Sequence, residues 1–361
     1  MAHVDDQRVA RVLDALEAQH PGAQLLVNDP WSIYYLTGFY ADMFERFCGV
    51  LLVRDAEPVI LVNALHQLPE YDNARVAYHT DTDVVADAIA REVDPTKPLG
   101  IDTVMRSGFL MPLMERHAAS EFFLGDFAVT AARTYKDAAE QELMRVSSAA
   151  NDAVMADAIK LVHGGVTERE IADQMLGLYR KHGCEGFSFP PIVSFGANAG
   201  DPHHEPDDTV LKRGDVVLFD IGGRHRNYCS DMTRTVAVGI PTDEMRSVYQ
   251  TVLNAQLAGI AAAKAGVTGE RVDGAARKVI SDAGYGAYFG HSFGHSLGLD
   301  IHEHPIAAPG VHGRLPEHTV ISAEPGIYLP GKFGVRIEDV MHLTADGAEI
   351  LTRSPKNLII L

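Results

Sequence analysis

The sequence lacks an excess of positive charge. Its 31 lysine and arginine residues are outnumbered by 49 aspartate and glutamate residues, giving a formal net charge of -18. Nucleic acids and anionic membrane surfaces are bound through basic faces, so this balance argues against both kinds of partner. The chain also lacks an apolar run near the roughly 18 to 20 residues that cross a membrane.

Export signals and paired cysteines are also missing. The opening residues MAHVDDQRVARVLDAL contain no basic leader followed by an apolar segment, so we expect no signal peptide. Cys48, Cys184 and Cys229 are odd in number and far apart in the sequence. A disulfide framework is therefore not expected, and a reducing cytoplasm is the predicted location.

The length of 361 residues favours two domains. In the first part, residues 7–20 have apolar side chains on one helical face. The strand-like runs AQLLV, CGVLLV, PVILV and LGID follow, with a helical DVVADAIAREV among them, and FFLGDFAV at 122–129 is interpreted as a last strand. We therefore expect a small α/β domain over residues 1–130 and a second domain over residues 131–361.

The second part contains a weak internal repeat. Asp137 and Glu140 are spaced as a capping box that opens a helix to about residue 162, and Thr167 and Glu170 predict another helix ending near residue 183. Residues 163–183 resemble residues 264–284 at an offset of 101, and each copy precedes a strand-like segment that carries two acids. This order predicts two pseudo-symmetric halves.

The two acid-bearing segments, 216–238 and 319–343, place four carboxylates among apolar strand residues: Asp220, Asp231, Glu324 and Glu338. Four anions can share a dry site only if cations neutralise them, and two divalent ions supply the matching charge. The alternative is that single acids pair with Arg234 or Arg336. Thr233 either hydrogen bonds to one of these acids or is an ordinary strand residue, and it is not among the predicted site residues.

Histidines cluster between these segments. The stretch FGHSFGHSLGLDIHEHP carries His291, His295, His302 and His304, and its glycines allow a close approach of the backbone. Histidine is a natural ligand beside carboxylates. His304 is expected at the surface. His203 lies 99 residues before His302, close to the repeat offset, and we expect this pair to face the metals as donors to substrate rather than as ligands.

The order and spacing of these residues resemble the creatinase/aminopeptidase P/prolidase metallopeptidases of the M24 type. The matching motifs are FDIGG, YCSDMTRT, GHSLGLDIHE, SAEPGIY, RIEDV and the tail LTRSPKNLIIL. The early DPWSIYYLTGF resembles the smaller domain of the proline-specific members. The resemblance covers essentially the whole chain. It implies an α/β (α+β) protein in which a small N-terminal creatinase-like α/β domain precedes a pseudo-two-fold pita-bread catalytic domain.

The resemblance also implies a metal ligand set. Asp220 would chelate one metal, His295 and Glu324 would hold the second, and Asp231 and Glu338 would bridge both. A water or hydroxide shared by the two metals would be the nucleophile, and Glu324 would also carry a proton toward the leaving nitrogen. The resemblance suggests Mn²⁺ or Co²⁺, while an oxygen-rich shell with one histidine also suits Zn²⁺ or Fe²⁺.

Further roles follow from the same resemblance. His203 and His302 would hold the substrate carbonyl and the oxyanion that develops from it. His291 has the position of an outer active-site histidine. Arg336 would orient Glu338 or a group of the substrate, unless it is a surface strand cation. A homodimer is also implied.

The expected reaction is metal-dependent hydrolysis of an Xaa-Pro bond at a peptide N-terminus, by a prolidase-like dipeptidase. An aminopeptidase P-like activity on longer peptides is the alternative, because Ile306 stands where several prolidases have an arginine for the dipeptide carboxylate. Methionine aminopeptidases usually lack the first domain, and creatinase-type amidinohydrolases do not keep the ligands. A pita-bread binding protein without catalysis is an alternative of a different class.

Overall fold

The computed structural model describes residues 1–40 and 43–361. The chain divides into two compact units, Met1–Arg133 and Thr134–Leu361. The division at residue 130 stays a prediction of domain limits. No helix among the described residues is long and apolar enough to span a membrane.

The first unit is an α/β unit built on one six-stranded sheet. In chain order its elements are α1 (Asp6–Gln19), β1 (Gln24–Val27), α2 (Pro30–Thr37), β2 (Cys48–Leu52), β3 (Val59–Asn63), β4 (Arg75–His79), α3 (Val85–Ala90), β5 (Leu99–Ile101), α4 (Ser107–Glu115), β6 (Phe122–Leu124) and α5 (Asp126–Thr134). The strand order is β4-β3-β2-β1-β5-β6. The neighbours β1/β2 and β2/β3 are antiparallel and the other pairs are parallel.

One strand assignment in this unit is wrong. Residues 122–129 were expected to form a single strand, but the strand ends at Leu124 and helix α5 begins at Asp126. Asp126 accepts hydrogen bonds from the backbone N–H and the hydroxyl of Thr103. Gly125, between the two elements, is so close to Leu25 that an added Cβ would lie 2.4 Å from Leu25 Cδ1. This close packing accompanies the change from strand to helix, and apolar composition alone does not reveal it.

The second unit contains α6 (Ala138–Ile159), α7 (Glu168–Ala172), α8 (Met175–Lys181), β7 (Gly186–Phe187), β8 (Ile192–Phe195), β9 (Val216–Ile221), β10 (Gly223–His225), β11 (Tyr228–Cys229), β12 (Met232–Ala237), α9 (Asp243–Ala262), α10 (Gly269–Asp282), β13 (Gly294–Ser296), β14 (Glu303–Ala307), β15 (Val320–Ala323), β16 (Gly326–Leu329), β17 (Phe333–Arg336), β18 (Asp339–Leu343) and β19 (Ala348–Ile350). Its sheets have the orders β12-β9-β8, β14-β13-β15-β18-β19, β11-β10-β7 and β16-β17.

Both predicted capping boxes are confirmed, at Asp137 with Glu140 and at Thr167 with Glu170. The single helix expected to follow Thr167 is instead divided into α7 and α8. At the division, the backbone N–H of Gln174 donates to the Ile171 carbonyl three residues earlier, a tighter turn than the α-helix makes.

The order of elements repeats within the second unit, as the sequence predicted. Helices α6, α7 and α8 precede the antiparallel pair β9/β12, and helices α9 and α10 precede the antiparallel pair β15/β18. Strand β9 lies between two hydrophobic clusters, since Val217 and Phe219 pack in one and Val216 and Leu218 in the other. Because side chains alternate along a strand, Asp220 lies on the side of Val216 and Leu218, toward the second half.

Candidate metal centre

The predicted site residues line one cavity of the second unit, with a volume of about 530 Å³. The charged and histidine side chains around it are His203, Asp220, Asp231, His291, His295, His302, Glu303, His304, Glu324, Arg336 and Glu338. The structure therefore brings together acids and histidines that are up to 135 positions apart in the numbering.

The two antiparallel strand pairs place the acids. Asp220 lies within β9, and Asp231 directly precedes β12, where the β9/β12 ladder begins. Glu324 directly follows β15 and Glu338 directly precedes β18, so these two acids flank the same end of the β15/β18 ladder. His295 lies in β13, which pairs with β15. The pairing of these strands therefore brings possible metal-ligand atoms from both halves of the second unit close together.

Burial and mutual repulsion raise the pKa of three of the four acids. For Asp231 and Glu338, burial is the largest cause and the neighbouring carboxylates add to it, so each pKa lies well above its usual value. Burial also raises the pKa of Glu324. The protein alone does not stabilise this cluster as four anions, and a bound cation would reverse the cost of ionisation.

The orientation of His295 suits a metal ligand. Its Nδ1 lies 3.2 Å from the Ser296 carbonyl oxygen, to which it donates. The lone pair therefore belongs to Nε2, which lies 3.5 Å from Asp231 Oδ2 and 3.3 Å from Glu324 Oε1. Burial lowers the pKa of His295, which favours the neutral ring. A lone pair directed at carboxylate oxygens is repulsive unless a proton or a metal cation lies between them, so this arrangement fits a metal ligand.

Two further observations fit bound cations. Donor atoms of Asp231, His295 and Glu338 lie within 4.8 Å of one another. Asp220 Oδ1 and Glu338 Oε1 are buried and accept no hydrogen bond from the part of the chain that the structure describes. Buried carboxylate oxygens normally have partners, so these two are open for coordination. The residues present fit divalent cations with oxygen and nitrogen ligands.

Arg336 is buried and connects two of the acids. Its guanidinium donates to Asp220 Oδ2 over 2.6 Å and to the hydroxyl of Thr233 over 2.9 Å. The Thr233 hydroxyl in turn donates to Glu338 Oε2 over 2.7 Å. Asp220 thus pairs with Arg336, as the alternative interpretation of single acids predicted, but it does so inside the acid cluster. Of the two interpretations of Thr233, the structure shows the one in which its hydroxyl bonds to an acid.

Tyr328 was not predicted as a site residue. Its hydroxyl accepts from Arg336 over 2.7 Å and lies 2.9 Å from His291 Nε2. His291 Nδ1 donates to the Ser292 carbonyl, so Nε2 accepts from Tyr328. Burial raises the pKa of Tyr328 to about 12, so the phenol keeps its proton. The motif SAEPGIY contained this tyrosine, but its spacing alone gave no reason to choose it.

The remaining histidines lie at the more open part of the cavity. His203 and His302 are both exposed, and the ring of His302 lies edge-on to that of His295, with centroids 4.5 Å apart. His304 is exposed, as expected, although it also lines the cavity. Apolar side chains complete the wall: Phe189, Pro190, Ile192, Ile301 and Ile306. A small, partly apolar substrate could therefore contact both the histidines and the acids.

Comparison with known proteins agrees with this arrangement. Residues 142–345 match the model of metallopeptidase family M24, and residues 8–133 match the creatinase/prolidase N-terminal domain. An Xaa-Pro dipeptidase of Lactobacillus delbrueckii subsp. lactis is 39% identical over 353 residues, which cover 93% of this chain and 94% of that protein.

Two solved structures are similar over nearly the whole length. A prolidase from Thermococcus sibiricus has a TM-score of 0.92 at 33% identity and covers 98% of each chain. An X-Pro aminopeptidase from Thermotoga maritima has a TM-score of 0.82 at 32% identity, covering 96% of this chain and 99% of the other. The fold and the acid-lined cavity define a metallopeptidase of two units. The chain belongs to metallopeptidase family M24, with a creatinase/prolidase N-terminal domain.

Proposed function

We propose that this protein is an Xaa-Pro dipeptidase that cleaves the bond before proline in short peptides. The observation that carries the proposal is the convergence of the four predicted carboxylates and the four predicted site histidines on one cavity with an apolar wall. The similarity to an Xaa-Pro dipeptidase and to a prolidase supports the substrate class.

In this proposal, Asp220, Asp231, His295, Glu324 and Glu338 would hold two divalent cations. When bound, the cations lower the pKa of water and polarise the scissile carbonyl. Arg336 keeps Asp220 in place directly and Glu338 through Thr233. Such contacts behind the ligands restrict their rotation and hold the carboxylate oxygens toward the cavity.

Glu324 is the proposed proton carrier. Its Oε1 accepts from the Ser322 hydroxyl over 3.2 Å, which orients the carboxyl group for proton transfer. It takes a proton from the attacking water and gives it to the proline nitrogen. The water oxygen forms a bond to the carbonyl carbon, the C–N bond breaks, and proline leaves with the proton.

His203 and His302 are the proposed donors to the carbonyl oxygen, which becomes negative as water adds. The pKa of His302 is lowered by the partial burial of its ring and also by His295, which favours the neutral form that donates from one nitrogen. Donors placed where the charge develops stabilise the transition state more than the bound substrate. His291, held by Tyr328, is the proposed outer histidine of the site.

Substrate length decides between the proposed function and its alternative. Ile306 gives the wall an apolar side chain where an arginine would bind a dipeptide carboxylate, which favours an aminopeptidase acting on longer peptides. The similarity to an X-Pro aminopeptidase is consistent with this second candidate. We propose the dipeptidase because the Xaa-Pro dipeptidase of Lactobacillus delbrueckii subsp. lactis is the more similar in sequence.

The test joins metal analysis of the purified protein to two assays, proline release from Ala-Pro and alanine release from Ala-Pro-Ala. A dipeptidase releases proline from Ala-Pro much faster than alanine from Ala-Pro-Ala, and the opposite preference supports the aminopeptidase. Asp231→Ala should abolish both bound metal and activity, whereas Asp346→Ala, at an exposed turn, should change neither. A wild-type protein that takes up no metal and cleaves neither peptide supports the non-catalytic binding alternative.

We further propose Mn²⁺ as the metal, a homodimer as the assembly and the cytoplasm as the location. The hard oxygen-rich ligand set supports Mn²⁺. Cys48, Cys184 and Cys229 are buried free thiols, which agrees with a reducing compartment. We also propose residues 1–130 and 131–361 as the creatinase-like and catalytic domains. Metal analysis and light scattering of the purified protein test the metal and the assembly.

A further inference from the structure

Another buried acid, Glu168, lies outside the cavity at the start of helix α7. The side chain of Glu168 is fully buried and accepts four hydrogen bonds. Its Oε1 accepts from the backbone N–H of Phe195 over 2.6 Å and from the amide of Asn198 over 3.0 Å. Its Oε2 accepts from His204 Nε2 over 2.7 Å and from the backbone N–H of Asp207 over 3.1 Å.

Glu168, His204 and Asp207 are close enough together to hold a cation, but their hydrogen bonds give them another role. Both oxygens of Glu168 already accept two bonds each, so their lone pairs are in use. His204 directs an N–H, not a lone pair, at the carboxylate. Asp207 Oδ1 accepts from the backbone N–H of Thr209. The cluster is a hydrogen-bonded anchor.

All four donors belong to one segment, residues 195–207, which follows strand β8. The start of helix α7 binds the same segment through its backbone, because Arg169 N–H donates to the Asp207 carbonyl over 3.0 Å. His203 lies within this segment, next to His204, and its side chain lines the cavity. The position of His203 is therefore set from behind the segment by a side chain that does not line the cavity.

We propose that Glu168 is a positioning residue for His203: its carboxylate fixes the 195–207 segment so that His203 faces the cavity. The catalytic part of this inference rests on the proposed function, in which His203 stabilises the developing oxyanion. An error in donor position affects the transition state more than substrate binding, so the loss should fall on kcat rather than KM.

Glu168→Gln is the principal variant. Glutamine keeps the shape but replaces one acceptor oxygen by an NH₂ group, which opposes N–H donors of the segment. Hydrogen bonds to charged groups are stronger than those between neutral groups, so losing part of this set weakens the anchor. We therefore expect kcat for Ala-Pro to fall about tenfold, with KM changed by less than about twofold. His204→Leu, which removes one of the four donors, should give a smaller fall of the same kind.

A double-mutant cycle separates positioning from a general loss of folded protein. If Glu168 acts through His203, adding Glu168→Gln to His203→Ala should lower kcat by no more than about twofold beyond His203→Ala alone. If the two losses multiply, Glu168 does not act through His203 and the inference is overturned. His204→Leu in the same cycle gives the decision should Glu168→Gln fail to fold.

Hydrogen exchange gives a readout that does not depend on catalysis. In Glu168→Gln the amides of Phe195 and Asp207 should exchange faster than in the wild type, measured by mass spectrometry on peptides covering 195–207. The control is Glu170→Gln on the same turn, because glutamine also completes a capping box with Thr167. Unchanged exchange in Glu168→Gln refutes the anchor. If the wild type cleaves no Xaa-Pro substrate, the proposed function fails, while the exchange result still decides whether Glu168 holds the segment.

Discussion

Replacing Asp231 by asparagine should have opposite effects on stability with and without metal. The donor atoms of Asp231 and Glu338 lie within 4.8 Å of each other, which corresponds to about 3 kcal/mol of repulsion between two full charges at an effective dielectric constant of about 20. Protonation relieves part of that repulsion, as the raised pKa of both groups indicates. Asp231→Asn should therefore stabilise the metal-free protein by about 1–3 kcal/mol.

The assay is thermal unfolding of the wild type and of Asp231→Asn, after chelation and after addition of Mn²⁺. For a unit of this size, 1 kcal/mol corresponds to about 2–4 °C in Tm, so the metal-free variant should unfold roughly 2–12 °C higher. The increase in Tm on adding Mn²⁺ should be large in the wild type and much smaller in the variant, because the charge of a proposed ligand has been lost.

The matched control is Asp346→Asn, which removes the same charge from an exposed turn and should leave both unfolding temperatures within about 1 °C. The electrostatic account of the site is refuted if Asp231→Asn destabilises the metal-free protein as much as the Mn²⁺-loaded one. In that case Asp231 would stabilise the protein through ordinary hydrogen bonds, and its negative charge would not be unfavourable in the absence of a metal ion.

Three further outcomes follow from buried charges. Arg336→Lys should lower kcat for Ala-Pro at least tenfold in the peptide assay, because a single ammonium group cannot replace a guanidinium that has three hydrogen-bonding partners. Lys136→Met should lower the free energy of unfolding by about 3 kcal/mol in urea titrations, because it removes the buried ammonium group that pairs with the carboxylate of Glu303. Burial raises the pKa of Asp102 to about 7. Stability should therefore fall as pH rises from about 4 through 7, by up to about 4 kcal/mol. Asp102→Asn should remove that fall, as followed through the fluorescence of Trp31, the single tryptophan of the chain. An unchanged kcat in Arg336→Lys would contradict the first expectation, and an unchanged urea midpoint in Lys136→Met would contradict the second. A pH slope retained in Asp102→Asn would contradict the third.

The acids of the site could be located from the sequence because strand geometry makes them conspicuous. Side chains alternate along a strand, so Asp220 in the middle of VVLFDI is an anion where an apolar residue is expected. The same reasoning selected Asp231, Glu324 and Glu338 as strand residues, although the structure places them directly beside strands β12, β15 and β18 rather than within them. The capping boxes were found because their spacing is fixed by helix geometry. For Asp220 and for the capping boxes, a local rule determines the position of the side chain.

The partners of those acids could not be predicted in this way. Thr233 bonds to Glu338, and Tyr328 lies between Arg336 and His291. The bonds from Thr233 to Glu338 and from Tyr328 to His291 depend on how distant parts of the chain pack, whereas Tyr328 and Arg336 lie on the paired strands β16 and β17. Periodicity indicates which face of a strand a residue occupies but does not identify the residue across from it. The same limit explains the boundary at Gly125, where contacts with a distant strand accompany the end of β6.

The two halves of the second unit also differ where the repeat would predict equivalence. At the offset of 101, the position of Glu168 corresponds to Gly269. A Cβ at Gly269 would lie 2.3 Å from the backbone oxygen of Ile306, so no side chain fits there without movement of strand β14. An acid that anchors a loop from the first position of the helix is therefore possible in the first half and sterically excluded in the second.

The second half anchors its histidine-bearing loop from a later position of the corresponding helix α10. Asp273 is buried, accepts from the backbone N–H of Phe293 over 3.0 Å and forms a two-fold contact with Arg277. Arg277 in turn donates to the backbone carbonyl of His291 over 2.7 Å. A buried acid on a helix thus holds a loop that presents a histidine to the cavity, as Glu168 does in the first half. The path of each loop determines which helix position can reach it. The two halves therefore share the arrangement in which a helix holds a loop, but the acid that makes the contact is Glu168 in one half and Asp273 in the other.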